Sequence, residues 1–294
     1  MLLNLDLINN SRTPYRTLAE KYNLSINAAH KRITNNIETG IIKKFTAKIS
    51  LNYLNAFIVI IFGKSNSTSI NDTIKQLGAH TATYQIVLAG GNYIYVSGYL
   101  KDISDLNAFS TAIITTAEIE NPTIGIHTKP IKKNNENELK KLDYKIIYAL
   151  KENSRKSIHD IADELQTSSK TVTRHLSKMI KTKTIELSLD FYPTASNDMF
   201  TVCHLTTKKE ELEINITKQI VNEFYPRVIG AWTLSNIPNL ILMNVWTNTI
   251  QEIHQFEEEI LQRKFTEETF SNMLYDIFYF DTWRDDLLKK KVEK

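Results

Sequence analysis

The chain has 294 residues, 42% of them hydrophobic and 23% charged, with a formal net charge of +3. This is an ordinary balance for a soluble globular protein of two to four small domains. A single cysteine, Cys203, excludes an internal disulfide and a cysteine-rich zinc site. No run is apolar for long enough to span a bilayer and no signal-peptide pattern opens the chain, so a cytoplasmic location away from membranes is expected.

Residues 1–9 predict a short helix with Leu3 and Leu7 facing inward. Thr13-Pro14 starts the next helix, with a threonine cap and proline at the first helical position. Ser25 to Glu38 reads as a third helix, stopped by Gly40, and Ile41 to Lys48 as a short strand, a wing or an exit. From Asn55 the period changes. Phe57 to Phe62 is a buried strand and Ser69 to Leu77 a helix. Thr83 to Ala89 and Tyr93 to Leu100 are strands around the hairpin signal Gly90-Gly91-Asn92. Ile103 to Thr115 is a helix with Ile103, Leu106, Phe109 and Ile113 as its stripe, and Thr123 to Thr128 a closing strand. Strand, helix, strand, strand, helix, strand is the ferredoxin-like order. Lys132 to Lys141 reads as a linker.

The second half repeats the series. Leu142 to Lys151 is a helix. Ser157 caps a short helix carrying Ile158, Ile161, Ala162 and Leu165. Ser168 caps another whose inner face is Val172, Leu176, Met179 and Ile180. Phe200 to Leu205, Val228 to Leu234, Leu240 to Thr247 and Met273 to Phe280 read as strands, with Glu211 to Phe224 and Ile250 to Leu261 as helices. Trp283 to Glu293 reads as a basic-ended helix or a frayed tail. Aligned on itself, the chain sets Asn10-Ser11-Arg12 over Asn153-Ser154-Arg155, Ser25 over Ser168, Ala29 over Val172, Ile33 over Leu176 and Ile37 over Ile180. The period is a whole module, which implies duplication of a domain pair.

Two short helices joined by a tight turn, the second with basic and hydroxyl side chains outward, make a helix-turn-helix. Charge is distributed accordingly. The first such segment and its flank hold Arg12, Arg16, Lys21, Lys31, Arg32, Lys43, Lys44 and Lys48 against only Asp6, Glu20 and Glu38. Acidic residues gather elsewhere, for instance at Glu257-Glu258-Glu259. A basic reader on a neutral body suits phosphate binding, so double-stranded DNA is the expected partner. The expected contacts are Ser25, Asn27, His30, Lys31, Arg32 and Asn35 in the first reader. In the second they are Ser168, Ser169, Lys170, Thr171, Thr173, Arg174, His175 and Lys178, with Ser168 also a candidate cap. Arginine and lysine reach phosphates or guanine edges, and asparagine pairs with adenine. The outward residues of the readers differ, which predicts unlike half-sites.

A helix-turn-helix followed by a ferredoxin-like unit resembles the Lrp/AsnC family of transcriptional regulators. The likeness rests on Leu142-Asp143 ahead of Asn153-Ser154-Arg155, Leu18-Ala19 then Leu24-Ser25, Arg32-Ile33, Gly40-Ile41-Ile42, and the glycine turn in Leu88 to Tyr95. It implies an α+β fold: two winged helix-turn-helix domains (1–48 and 139–190) alternating with two ferredoxin-like domains (49–131 and 191–294, the latter with a C-terminal helix), in a pseudo-two-fold repeat. Family members usually carry one copy of each, so this chain looks like a covalent dimer. The resemblance also implies a small-molecule effector such as an amino acid, held at Gly90, Gly91, Asn92 and Tyr93 and at Ser235 and Asn236, and is compatible with a homo-oligomer. The slot after the aromatic, normally acidic in the family, is Ile94, and the second turn has no glycine. No metal, cofactor or catalytic residue is expected, and the chain is read as a non-enzyme. Two alternatives stand beside this. Siroheme decarboxylases have a resembling build, although Gly230 to Leu234 lacks the histidine a tetrapyrrole pocket needs. The other is an assembly module whose readers no longer bind DNA.

Overall fold

The computed structural model describes residues 2–127, 138–208 and 214–293. In chain order, the first reader comprises α1 (Leu2–Asn9), α2 (Tyr15–Lys21), α3 (Ile26–Glu38) and β1 (Ile42–Ile49). The first body comprises β2 (Phe57–Ser65), α4 (Ile70–Ala79), β3 (Thr83–Ala89), β4 (Tyr93–Leu100), α5 (Leu106–Ala117) and β5 (Ile119–Ile126). The second reader is α6 (Lys141–Ala149), α7 (Ile158–Glu164), α8 (Ser169–Lys181) and β6 (Ile185–Phe191). The second body is β7 (Met199–Thr207), α9 (Ile214–Phe224), β8 (Val228–Leu234), β9 (Ile237–Thr247), α10 (Ile250–Leu261) and β10 (Thr266–Tyr279), and α11 (Trp283–Glu293) ends the series. The expected α+β repeat of helix-turn-helix and βαββαβ units is what the chain folds into. Residues 132–137 of the linker, Thr128 and the expected helix start before Ile214 lie outside the described residues. No helix among the described residues is long and apolar enough to cross a membrane.

The elements gather into two compact units, one holding both readers with α11, the other both bodies. In the reader unit, serine caps set the helix starts. The Oγ atoms of Ser25, Ser157 and Ser168 each accept a backbone N–H three residues on, at 3.1 Å. Ala29 and Ile33 of α3, and Val172, Leu176 and Met179 of α8, form the buried faces. Ile37 and Ile180 depart from expectation. At 44% and 41% exposure they lie on last turns that run past the core. The strand expected as wing or exit pairs antiparallel with its counterpart, with Phe45 opposite Leu189, Ala47 opposite Leu187 and Ile49 opposite Ile185. Ala47 and Ile49 of β1 thereby enter the second reader's core with Ile147, Leu150, Leu176 and Leu288 of α11.

In the body unit the strand order is β5-β2-β4-β3-β10-β7-β9-β8. The two edges meet. Leu234 bridges His127, Ser235 N–H donates to the Ile126 carbonyl at 2.8 Å, and a Cβ on Gly125 would lie 2.5 Å from the Leu234 side chain. Leu274 opposite Ala89 is the equivalent contact at the other junction, where β10 and β3 form a longer ladder. Helices cover the outer faces. Phe109 of α5 packs where Gly98 leaves room, and Phe224 and Phe256 of α9 and α10 pack over Cys203, Met243 and Val245. Strands β5 and β10 begin earlier than expected, because Glu120 and Glu268 pair with Lys64 and Thr206 of the neighbouring strands across register shifts at Asn121 and Glu267, and not through apolar alternation. Ile103, expected in a helical stripe, is 58% exposed ahead of α5.

Candidate nucleic-acid interface

Each recognition helix is fixed from behind by a different device. In the second reader, His175 Nδ1 lies 2.7 Å from Asp143 Oδ1, while Asp143 Oδ2 accepts Lys140 N–H at 2.7 Å and completes the cap of α6. In the first reader the link is Asn36 Nδ2 donating to Asn4 Oδ1 at 2.9 Å, with Asn4 buried under α3. His175 is therefore withdrawn from the outward face on which it was expected. A buried carboxylate holds its ring against α6.

The remaining expected contacts divide by what their side chains already do. Ser25 and Ser168 are spent on caps, Thr171 Oγ1 lies 2.9 Å from Ser168 Oγ, and Thr173 Oγ1 donates to the Ser169 carbonyl at 2.8 Å. Asn27, His30, Lys31, Arg32 and Asn35 are exposed on α3, and Ser169, Lys170, Arg174 and Lys178 on α8. Lys31, Arg32, Lys170, Arg174 and Lys178 make no ion pair among the described residues, and α8 contains no acidic residue. The acids of neighbouring α7 are engaged instead, Glu164 by Lys156 and Asp163 by His159 at 3.4 Å. His30 is also packed edge-on against Tyr15, ring centroids 5.0 Å apart.

The readers are joined where the sequence repeat is most literal. Ser11 Oγ lies 2.5 Å from Ser154 Oγ. Arg12 Nη1 donates to the carbonyls of Ser154 at 2.6 Å and Lys156 at 2.8 Å. Arg155 Nη1 reciprocates, donating to the carbonyls of Ser11 and, at 3.1 Å, Thr13. The exchange marks a local pseudo-two-fold axis between the readers.

The turns expected to hold an effector serve the backbone. Gly90, Gly91 and Asn92 form an exposed turn in which Gly91 (φ 68) and Asn92 (φ 61) are left-handed, and a Cβ on Gly90 or Gly91 would meet nothing within 4 Å. Ser235 and Asn236 require correction. Asn236 accepts Ile126 N–H at 2.8 Å and donates to the Ile124 carbonyl at 2.7 Å, and Ser235 Oγ donates to the Ile126 carbonyl at 3.3 Å. Their polar groups stitch one sheet edge to the other.

Sequence reading missed a polar cluster on the inner face of the body sheet. His204 Nε2 lies 2.7 Å from Tyr95 Oη, which also accepts from Asn272 Nδ2 at 2.7 Å. Phe62, Tyr93 and Phe270 pack around the imidazole, with centroids 5.1, 6.0 and 5.4 Å from it. Burial pushes His204 down to about 4 and raises the Tyr95 hydroxyl well above its ordinary range. The only signal in the sequence is one histidine inside a strand, Phe200 to Leu205, that is apolar apart from Thr201. No group of three or more His, Cys, Asp or Glu among the described residues is arranged to hold a metal ion.

A family model described as winged helix-turn-helix DNA-binding matches residues 139–186. An uncharacterized HTH-type transcriptional regulator of Pyrococcus horikoshii, PH1916, is 30% identical over 92 residues. That match spans 30% of this chain and 61% of the relative, less than two thirds of its length. Among solved structures, the siroheme decarboxylase NirDL superposes with a TM-score of 0.61 at 12% identity, covering 99% of this chain and 97% of its own. AsnC of E. coli covers 47% of this chain and 92% of its own, with 18% identity and a TM-score of 0.38. The whole-length likeness to NirDL overturns the expectation that the chain is a non-enzyme, because its complete fold is one that an enzyme uses. The chain thus carries a winged helix-turn-helix, and its fold, a reader followed by a ferredoxin-like body in tandem duplicate, is shared with NirDL over nearly the whole length of both chains.

Proposed function

We propose that the chain is a sequence-specific DNA-binding regulator that acts as a covalent pseudo-dimer and presents α3 and α8 to successive major grooves. The observation that carries this reading is the pair of recognition helices with exposed cations that make no ion pair among the described residues, on readers joined by the reciprocal arginine exchange ahead of α2 and α7. Uncompensated cations on an exposed helix are what counterion release from a duplex requires. Lys31, Arg32, Lys170, Arg174 and Lys178 supply phosphate and guanine contacts, and Asn27 and Asn35 adenine contacts. A small effector such as an amino acid fits such a regulator, although the side chains of Ser235 and Asn236 are engaged elsewhere.

The test is duplex binding to genomic fragments across a salt series. Affinity should fall steeply, and a log–log slope near zero sinks the proposal. Arg174→Ala should cost about 1–3 kcal/mol of binding if it touches a base, and unchanged affinity removes it from the interface.

A second reading is favoured by one finding, the fold shared with NirDL over 99% of the chain. On that reading the body unit binds and decarboxylates an iron tetrapyrrole, with His204, Tyr95 and Asn272 as its buried polar groups. A Soret band on adding an iron tetrapyrrole, with loss of carboxyl mass from it, would support this reading. Neither change at saturating pigment would dismiss it.

A further inference from the structure

The readers meet at two arginines, and carbonyl exchange accounts for only part of what they offer. Each guanidinium uses Nη1 for its two carbonyl acceptors. Arginine has five N–H donors, so the Nε–H and the two Nη2–H groups of each remain. Among the described residues no hydrogen bond occupies these three, and none is a fully buried atom without a partner, so each keeps some solvent access. They form the side of the guanidinium that grips a phosphate in a two-point fork.

Charge points the same way. Neither arginine has a carboxylate partner among the described residues. Burial first, and the charge of Arg155 second, make Arg12 a weaker base than usual, so two cations are held close without compensation. Arg155 is also oriented. Its guanidinium lies 4.4 Å from the centre of the Tyr15 ring and 5.7 Å from that of Phe45. Tyr15 in turn packs against His30 on the outward face of α3. One aromatic ring thus separates the arginine pair from the reading surface.

We propose that Arg12 and Arg155 form a phosphate-binding site on the pseudo-two-fold axis, where a backbone phosphate of the duplex between the two half-sites is clamped by both forks. Because Nη1 is pinned to carbonyls, neither side chain can extend into a groove. The phosphate comes to the pair, and the contact carries no sequence information. The DNA assignment rests on the proposed function, whereas the anion site does not.

The experiment uses the full chain, wild type, Arg12→Gln and Arg155→Gln, with a duplex of about 30 base pairs that spans half-sites roughly one turn apart. In a salt series each substitution should lower the log–log slope by about one, uniformly across duplex sequences. A parallel arm adds inorganic phosphate at ionic strength matched by chloride and follows the unfolding temperature. Phosphate stabilises proteins generally, so the readout is the extra rise in wild type that the variants lose. Unchanged slopes in folded variants, with equal phosphate responses, overturn the proposal. If wild type binds no duplex, the proposed function fails by itself. The phosphate arm then decides whether the site exists for free phosphate: an extra rise in wild type keeps it, and equal responses remove it. Should a glutamine variant not fold, Arg12→Lys and Arg155→Lys keep the charge and a carbonyl bond but lose the fork. Their duplex affinity should drop several-fold at unchanged slope, and wild-type affinity in both would count against the clamp.

Discussion

The two copies share a register but not the chemistry placed in it. In the second reader the positions between the first helix and the recognition helix are Ile147 and Met179, both buried. In the first reader the same positions are Asn4 and Asn36, joined by a hydrogen bond. The second reader also gains Leu288 from α11 and the His175–Asp143 contact. The bodies diverge likewise, for Phe62 of β2 and His204 of β7 occupy equivalent places and face each other. Duplication preserved the backbone plan and released the side chains, so one copy became the better-packed platform. A buried amide pair adds little net stability, whereas apolar burial adds about 25 cal/mol per Å².

The largest test of that contrast is core truncation. Ile33→Ala and Leu176→Ala should each cost about 2–5 kcal/mol. The readers share the β1–β6 ribbon and the arginine exchange, so either substitution should lower a single reader-unit transition. An added early transition confined to Ile33→Ala, seen by hydrogen exchange or calorimetry, would mean that the first reader opens alone.

Next comes acid sensitivity. The unfolded imidazole takes a proton near 6.5, and buried His204 only near 4. Between those values the unfolded chain binds more protons, so this contribution is whole above about pH 6.5 and drains as pH falls toward 4. Its size is on the order of 3 kcal/mol. His204→Phe, which copies the residue in the other body, should flatten stability between pH 4 and 6.5. Identical pH profiles for variant and wild type, from urea midpoints, would contradict the assignment.

The smallest effect concerns the caps. Ser25→Ala and Ser168→Ala should each cost about 1 kcal/mol, equally, because both oxygens accept a backbone N–H at 3.1 Å. A clear inequality by chemical denaturation would show that packing behind the helix, and not the cap, decides how firmly each reader starts.

What the sequence disclosed was local or periodic. Serine caps, apolar helix faces, the βαββαβ order and the repeat through Asn10-Ser11-Arg12 could all be read from spacing. Hidden were relations between residues far apart in the chain. Nothing near His175 announces Asp143, and nothing near Asn236 announces the edge of β5 that it stitches. The exposure of Ile37 and Ile180 escaped because a heptad-like pattern does not say where the core beneath a helix ends. His204 escaped because its partners come from three other strands.

The imidazole of His204 set against the ring of Phe62 has a wider meaning. When two identical chains associate about a dyad, any residue at the centre must confront its own twin, and every mutation there arrives in duplicate. Fusing the copies lifts that restriction, so the centre can host a hetero-pair that no homodimer could encode.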